Sequence, residues 1–373
     1  MSDKRYKRLG NYIELVQERN KGAHITNLMG VSIAKKFIPS IANIIGTDLS
    51  TYRIVHPGNF AFCPVTSRNG EKITIARYKG KDDCIISQAY LPFRVIDENE
   101  LDPDYLMMWV MRSEFDRYAR FHSHGSVREL FSWEEMCNVY LPIPNIEEQR
   151  KIVAEFQAVE QRIENDNRLI KALEDTAQAI YHHTFVENID PENLPEGWKW
   201  GKLSDIANIN MGQSPEGESL NTIGDGDIFY QGRTDFGVRF PDIRVYTTEA
   251  KKYAASYDIL ISVRAPVGDL NITRNKCAIG RGIAAITPKI GSSFVFYTLQ
   301  NQAAQFKKSN DEGTIFGSIG KEDLFELKVL VPEDKVVNEF NSNLEDIDKI
   351  IDTADMENSK MLKVKDLLLA KLS

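Results

Sequence analysis

The amino-acid sequence predicts a multidomain α+β protein in which two α/β-mixed globular domains are separated by two long, antiparallel coiled-coil helices. Apolar residues spaced alternately by three and four positions run through the middle of the chain and again through its C-terminal end, which is typical of helices that pack along a seam. The segment between these runs repeats the order of motifs that precedes the first run. One unit used twice predicts a pseudo-twofold internal repeat.

The first long helix is predicted over residues 147–187, a stretch without proline or glycine, and the second over 333–373. One seam position holds Asp166, and a polar residue there more often fixes the register of two helices than stabilises them. Because one helix cannot bury an apolar seam alone, we expect the two helices to pack on each other. The predicted seam residues are Ile152, Phe156, Val159, Ile163, Ile170 and Leu173 in the first helix and Phe340, Leu344, Ile347 and Ile351 in the second.

The predicted globular domains occupy residues 1–146 and 188–332. Each contains a closing motif that ends in a proline, GSVRELFSWEEMCNVYLPIP in the first domain and GTIFGSIGKEDLFELKVLVP in the second. The two motifs align without a gap at an offset of 188 residues. This alignment predicts that the two domains share one fold.

The charge of the chain does not exclude nucleic acid as a partner. The formal net charge is −8, but the acidic excess lies mainly in the two heptad segments, so the globular domains can still carry basic faces. The four cysteines are scattered without a C-x-x-C pair, which disfavours a zinc site or a disulfide framework. No apolar stretch predicts a membrane span or a secretory signal, and a cytoplasmic protein is expected.

Four motifs carry a resemblance to a known family. They are LPIPNIEEQRKIV, LPEGWKWGKLSDI, SVRAPVGDLNI and AIGRGIAAI. With these motifs the sequence closely resembles the specificity subunit of type I restriction-modification enzymes over nearly its whole length. The resemblance implies a non-catalytic subunit with two target-recognition domains and two spacer helices, which binds a bipartite DNA target with one half-site per recognition domain.

The same resemblance implies partners and cofactors. The expected partners are double-stranded DNA, two methyltransferase (modification) subunits that methylate adenine N6, and ATP-dependent restriction/translocase subunits. S-adenosylmethionine, ATP and magnesium are expected on those partner subunits, and no cofactor is expected on this chain.

Basic residues near the characteristic motifs are candidates for DNA contact. Arginine can pair with guanine O6 and N7 through two hydrogen bonds, and lysine and arginine both bind phosphates. For each residue the alternative is a structural ion pair or a solvated turn. Gly280 and Gly282 flank one candidate and let the backbone approach a groove or simply form a tight turn. The candidates are Arg68, Lys72, Arg77, Lys79 and Arg128 in the first domain and Arg264, Arg274, Lys276, Arg281 and Thr314 in the second.

A stand-alone magnesium-dependent nuclease is the alternative function. Asp242, Glu249 and Lys251 follow the residue order of such enzymes, in which carboxylates hold the metal and a lysine assists the attacking water. The pattern is short, and no second acidic cluster supports it. The closely spaced histidines lack carboxylate or cysteine partners at ligand spacing and are expected at the surface rather than at a metal; they are His122, His124, His182 and His183.

Overall fold

The computed structural model of the chain describes residues 6–40, 46–67, 70–125, 128–187, 189–311 and 318–372, with the backbone alone for 303–311. These residues group into two compact units. One contains the residues up to Ile163 together with those from Lys360 onward, and the other contains Glu164–Ser359. Each unit thus combines a mixed α/β domain with parts of two long helices.

The first domain is built from short strands and short helices. Its strands are β1 (Tyr6–Arg8), β2 (Ile13–Leu15), β3 (Met29–Val31), β4 (Phe37–Pro39), β5 (Arg53–Val55), β6 (Phe60–Phe62), β7 (Ile75–Arg77), β8 (Cys84–Ile86), β9 (Leu91–Val95) and β10 (Tyr140–Pro142). Helices α1 (Pro103–Val110), α2 (Ser113–Phe121) and α3 (Trp133–Cys137) precede β10, and 3-10 helices span Leu9–Asn11 and Leu49–Thr51.

The core of the first domain lies between an antiparallel sheet and these helices. The strand order is β2-β9-β6-β7, and all three residues of β6 are buried. Phe60 of β6 stacks on Phe93 of β9 with ring centroids 4.9 Å apart. Helix α1 begins at a cap, because the Asp102 side chain accepts hydrogen bonds from two backbone amides and proline occupies the first helical position. It covers the sheet with Tyr105 and Trp109, which are both buried.

Helix α4 (Ile146–Phe185) follows the first domain and leads into the second. The strands of the second domain are β11 (Lys199–Lys202), β12 (Ala207–Met211), β13 (Leu220–Asn221), β14 (Asp227–Tyr230), β15 (Val245–Thr247), β16 (Tyr253–Ala254), β17 (Ile259–Ser262), β18 (Leu270–Ile272), β19 (Cys277–Ile279), β20 (Ile283–Pro288) and β21 (Lys328–Val331). Its helices are α5 (Leu203–Ile206), α6 (Ser292–Asp311) and α7 (Lys321–Phe325), with 3-10 helices at Gly217–Ser219 and Arg233–Asp235; α8 (Asp334–Ala370) comes last.

The two domains share one topology, and the predicted repeat is confirmed. The sheet order β12-β20-β17-β18 in the second domain matches β2-β9-β6-β7 strand for strand, and β11 pairs with β21 as β1 pairs with β10. The offset of 188 residues relates the first residue of α3 to that of α7 and the first residue of β10 to that of β21. The domains differ at their second sheet, which in the second domain has five strands in the order β13-β15-β14-β19-β16.

Within the second unit, α4 and α8 run antiparallel and bury a shared apolar face. Ile170 and Ile351 are both 0 % exposed and form one apolar cluster with Ala354. Near the end of α4, the ring of Phe185 lies 5.1 Å from that of Phe340 near the start of α8. Later residues of one helix therefore meet earlier residues of the other. No helix in the described parts of the chain is long and apolar enough to cross a membrane.

A polar pair interrupts this apolar face. Asn358 of α8 is buried, and its Nδ2 donates a 3.0 Å hydrogen bond to Oδ1 of Asn167 on α4. The adjacent Asp166 is also buried, at the seam position that the sequence marked as polar. Because buried polar groups need matched partners, this layer favours one register of the two helices over registers shifted by a heptad.

Within the first unit, the beginning of α4 and the end of α8 also lie together. Val153 and Phe156 of α4 are buried in the core of the first domain, and Leu368 of α8 packs against the same core. Lys365 Nζ of α8 lies 2.7 Å from Glu160 Oε1 of α4. The direction of the two helices is again antiparallel.

The structure buries the predicted seam residues to different degrees. Near the two ends of α4, Val153, Tyr181 and Phe185 are buried although a strict heptad does not place them at the seam. A straight helix of 3.6 residues per turn drifts out of a 3.5-residue repeat, and these ends face domain cores as well as α8. The predicted residues Phe156, Ile170, Phe340, Leu344 and Ile351 are buried, whereas Ile152, Val159, Ile163, Leu173 and Ile347 are half-buried.

A buried arginine attaches the second domain to both helices of its unit. The Arg239 side chain is 3 % exposed and lies 2.9 Å from Asp348 of α8 and 3.4 Å from Glu174 of α4. Its guanidinium also lies 3.7 Å from the ring centroid of Phe296. Burial raises the pKa of Glu174, and the nearby guanidinium opposes that rise. Loss of the arginine would remove the cation between two half-buried carboxylates, Glu174 and Asp348, and would empty a buried site, which is a costly change.

The buried face of the helix pair gives a testable prediction. Ile351→Asp is expected to destabilise the chain by about 3 kcal/mol or more, because a charge replaces a fully buried apolar side chain. The neighbouring Ile350 is 46 % exposed, so Ile350→Asp serves as a control with the same change in helix propensity and charge. Urea unfolding followed by circular dichroism measures both. Equal losses of stability in the two variants would show that α4 and α8 do not bury this face.

Candidate nucleic-acid interface

Two exposed arginines meet at one end of the central sheet of the second domain. Strand β17 ends where the antiparallel β20 begins. The pairing continues past the strands, because the Val263 amide donates a 2.9 Å hydrogen bond to the Gly282 carbonyl. Arg264 and Arg281 consequently lie across from each other just beyond the strands. We call this region, residues 213–214, 263–269, 280–282 and 318, the second loop end.

Neighbouring segments hold the backbone of both arginines. Arg264 forms an antiparallel bridge with Ser318. The Arg281 amide donates a 3.3 Å hydrogen bond to Ser214 Oγ. The backbone at the second loop end is therefore fixed from both sides, and the two side chains project from a defined surface.

Both guanidinium groups are available to a ligand. Arg264 and Arg281 are exposed, and their side chains make no hydrogen bond or ion pair with any residue that the structure describes. Arg233 at the same end differs, because it pairs with Asp269. An unpaired guanidinium retains a planar fork of donors that fits the N7 and O6 acceptors of guanine or two oxygens of a phosphate.

The glycines beside Arg281 serve internal packing. A Cβ on Gly280 would lie 3.0 Å from the carbonyl oxygen of Gln231, and one on Gly282 would lie 2.8 Å from the same atom. Side chains at these positions would push away the segment at Gln231. Of the two roles considered for these glycines, close approach of backbone segments within the domain accounts for both.

The corresponding end of the first domain is built in the same way. The Pro64 carbonyl accepts a 2.8 Å hydrogen bond from the Phe131 amide, and the Val263 carbonyl accepts one of 2.9 Å from the Ile319 amide. The repeat offset of 188 residues relates the two donors. We call the equivalent region, residues 63–67, 70–74, 122–125 and 128–130, the first loop end.

The first loop end also exposes basic side chains. Lys72 and Arg128 are exposed, and neither side chain bonds to another residue in the described ranges. Arg120 stays within the domain, since its Nη1 donates to the Thr66 carbonyl over 3.1 Å and lies 2.9 Å from Glu129 Oε2. Of the sequence candidates, Lys72 and Arg128 therefore lie at the end of the sheet that corresponds to the end carrying Arg264 and Arg281 in the second domain.

The structure separates Arg77 and Lys79 from Lys72, although the sequence groups them. Strand β7 runs away from the first loop end, which carries Arg77 to the opposite end of the sheet. There its Nη1 lies 2.7 Å from Asp104 Oδ1. Lys79 is exposed at that opposite end. A hairpin brings distant residues together and moves near neighbours apart, so a basic cluster in sequence is not a cluster in space.

Arg274 and Lys276 lie at the equivalent opposite end of the second domain. Arg274 lies 2.6 Å from Asp352 and 2.9 Å from Asp355, both on α8. Burial raises the pKa of Asp355, and hydrogen bonding to Arg274 opposes the rise. Lys276 is exposed above the ring of Tyr253, at 4.3 Å from its centroid. For Arg274 the structure supports the structural ion pair in place of DNA contact.

Two sequence candidates, Arg68 and Thr314, lie outside the described residues. Sequence reasoning also missed Phe121, the last residue of α2, which is 81 % exposed beside the first loop end. Its position four residues before the start of the closing motif of the domain was the available signal. The apolar side chain itself gave no indication that it faces solvent.

The lysine of the nuclease alternative is engaged elsewhere, and its two acidic residues are exposed at the surface. Lys251 Nζ donates a 3.0 Å hydrogen bond to Glu216 Oε1, and Glu249 follows strand β15 at the surface. In the part of the chain that the structure describes, no group of three or more His, Cys, Asp or Glu side chains is arranged to hold a metal.

The histidines have carboxylate neighbours that their spacing did not show. His182 and His183 both lie within hydrogen-bond distance of Glu187 and lower its pKa, and His122 lies 3.6 Å from Glu135. The pair at the end of α4 is exposed. The expectation of surface histidines holds for this pair, although the sequence spacing did not reveal the contact with Glu187.

Comparison with known families identifies the repeated unit. The family model described as the type I restriction modification DNA specificity domain matches residues 40–175 and 195–361. Each match begins in one globular domain and continues into the long helix that follows it. The family model therefore matches the chain twice, once for each globular domain and the long helix after it.

Similar proteins span nearly the whole chain. The putative type I restriction enzyme MjaX specificity subunit of Methanocaldococcus jannaschii is 28 % identical over 375 residues, which cover 95 % of this chain and 87 % of the relative. The HindI specificity subunit of Haemophilus influenzae is 19 % identical over 422 residues and 89 % of each chain. The solved S subunit from M. genitalium has the same fold, with a TM-score of 0.60 at 15 % identity over 100 % of this chain and 97 % of that one.

These matches agree with the two domains, the long helices and the repeated topology described above. Specificity subunits recognise DNA without catalysing a reaction, so the nuclease alternative falls away. Since the family model matches both domains and most of the chain, the protein belongs to the family of type I restriction-modification DNA specificity subunits.

Proposed function

We propose that this chain recognises a bipartite double-stranded DNA target, with one half-site bound at the first loop end and the other at the second. The observation that carries the proposal is that the same end of the same sheet exposes unpaired basic side chains in both domains. Lys72 and Arg128 mark one loop end, and Arg264 and Arg281 mark the other. Such groups bind phosphate oxygens and base edges in a groove.

The two loop ends share a backbone framework but carry different side chains. Two arginines face each other in the second domain, whereas a lysine and an arginine occupy the first. Bidentate arginine contacts favour guanine, and a lysine acts as a point charge on phosphates or guanine. We therefore infer that the two half-sites have different base sequences.

The proposal includes partner subunits, as the family membership suggests. Two adenine-N6 methyltransferase subunits would dock on the chain, and restriction/translocase subunits would join them in the cytoplasm. The bound S-adenosylmethionine, ATP and magnesium would belong to these partners, because this sequence has neither a glycine-rich cofactor loop after a strand nor a P-loop. Helices α4 and α8 would serve as the spacer helices, and acidic residues along α4 such as Glu147 and Glu155 are exposed to a basic partner.

The two free arginines of the second domain should contribute to DNA binding. In the assembled methyltransferase, replacing an arginine that reads a base by alanine should weaken specific binding by about 1–3 kcal/mol. The loss should concern one base position of the target. An arginine that binds phosphate should weaken binding to all sequences and reduce the salt slope by about 0.9 per phosphate. Titrations of Arg264→Ala and Arg281→Ala with the methylated target at several salt concentrations separate these roles.

Lys289→Ala is the matched control for charge. Lys289 is exposed beyond the opposite end of β20, and its Nζ donates to the Ser204 carbonyl over 2.6 Å. The Lys289→Ala variant should bind DNA with an affinity and a salt slope close to those of the parent protein. If the arginine variants behave like this control, the second loop end does not bind DNA.

The repeated domain predicts modular specificity. Replacing residues 199–332 with the equivalent segment of a related subunit should change one half of the methylated sequence and leave the other half unchanged. The replacement must retain Arg239 and Arg274, because both attach the domain to the long helices. Sequencing of methylated adenines reports the outcome. A change in both halves would contradict one half-site per domain.

A further inference from the structure

Phe121 is an apolar side chain that is exposed to solvent at an ordered helix end. It is 81 % exposed at the last position of α2. The turn that follows is tied to the domain, because Ser123 Oγ donates to the Ala119 carbonyl over 2.6 Å and accepts a hydrogen bond from Thr66 Oγ1 over 3.0 Å. The ring is therefore exposed at a helix end whose backbone is ordered by hydrogen bonds.

This helix end adjoins the first loop end. Arg120, next to Phe121, donates to the Thr66 carbonyl, and Thr66 follows the end of β6. The Ile73 amide, on the other side of the same loop, donates to Asp116 Oδ1 of α2 over 3.1 Å. Both sides of the loop between β6 and β7 are thus hydrogen-bonded to α2. Phe121, at the end of α2, lies next to this loop.

The electrostatic surroundings of Phe121 favour DNA over an apolar protein surface. Arg117, one turn earlier on α2, is 71 % exposed, and Arg128 is exposed on the loop. Among the acidic groups there, Glu114 and Glu129 are already paired with Arg117 and Arg120, and Glu71 lies exposed in the loop between β6 and β7. The basic side chains there that have no partner among the described residues are Lys72 and Arg128, and a phenylalanine beside them is suited to touch a base while they bind phosphates.

We infer that Phe121 is a base-contacting, specificity-determining residue of the first domain, an inference that rests on the proposed DNA function. Its ring makes an apolar contact with the half-site, either against a thymine methyl group in the major groove or between two base pairs from the minor groove. Both contacts need a large apolar side chain that is exposed before DNA binds. The solvent-facing ring of Phe121, at a hydrogen-bonded helix end, meets that requirement.

The test compares Phe121→Ala and Phe121→Leu with the control Ile96→Ala in the assembled methyltransferase. Ile96 is also an exposed apolar residue, at 55 %, but it follows β9 at the end of the sheet opposite to the first loop end. Phe121→Ala should weaken binding to the specific duplex by about 5- to 100-fold, with binding to an unrelated duplex and the salt slope unchanged. Phe121→Leu should lose less, and Ile96→Ala should match the parent.

Modified duplexes distinguish the two modes of contact. If the ring touches a thymine methyl group, deoxyuridine at one position should weaken the parent but not Phe121→Ala. If the ring enters between base pairs, 2-aminopurine at one step should brighten with the parent and not with the variant. Either result supports the inference, and the affected base should lie in one half-site only.

Two results would overturn the inference. In one, Phe121→Ala, with an unchanged melting temperature, binds the specific duplex as tightly as the parent. In the other, size-exclusion chromatography shows that the variant no longer assembles with the methyltransferase subunits, which would make Phe121 a protein contact. Failure of the proposed function has a different signature, because the parent complex itself would then prefer no DNA sequence.

Discussion

Helices α4 and α8 each carry an apolar face that neither can bury alone, and the rest of the structure depends on how those faces are covered. In the second unit Ile170 meets Ile351 and Ala354, and the buried Asn358 bonds to Asn167. Apolar burial supplies the stability of this pairing, and the polar pair restricts its register. The second domain is attached to the resulting surface through the buried Arg239, so its orientation relative to the helices of its unit depends on that register.

In the two copies of the domain, the framework of strands and helices is the same and the side chains at the loop ends differ. The sheet order, the β1–β10 and β11–β21 ribbons and the closing helices recur at matching positions. The connections at the loop ends carry different side chains on this constant frame, as Lys72 and Arg128 differ from Arg264 and Arg281. Loops on a rigid scaffold can change without disturbing the core. Such an arrangement allows each half-site to change independently of the fold.

The sequence predicted the repeat and the central seam well, because both depend on local spacing. The seam residues Phe340, Leu344 and Ile351 fall on one face of α8 through steps of four and seven residues, as burial requires. At the ends of α4, however, Tyr181 and Phe185 are buried against Phe294 of the second domain, a contact that no heptad pattern contains. The prediction that the grouped basic residues contact DNA together was wrong for a related reason. Arg274 and Arg264 lie near each other in sequence, but β18 carries Arg274 to the acidic side chains of α8.

We propose that DNA binds the loop end of each central sheet. Hydrogen–deuterium exchange of the assembled methyltransferase, with and without a duplex whose adenines are methylated only when this gene is present, tests it directly. Binding at the loop ends predicts slower exchange in residues 63–67, 70–74 and 263–269 when DNA is added, with no change at the opposite ends, residues 78–83 and 273–276. Slower exchange at those opposite ends, with unchanged exchange at both loop ends, would contradict it.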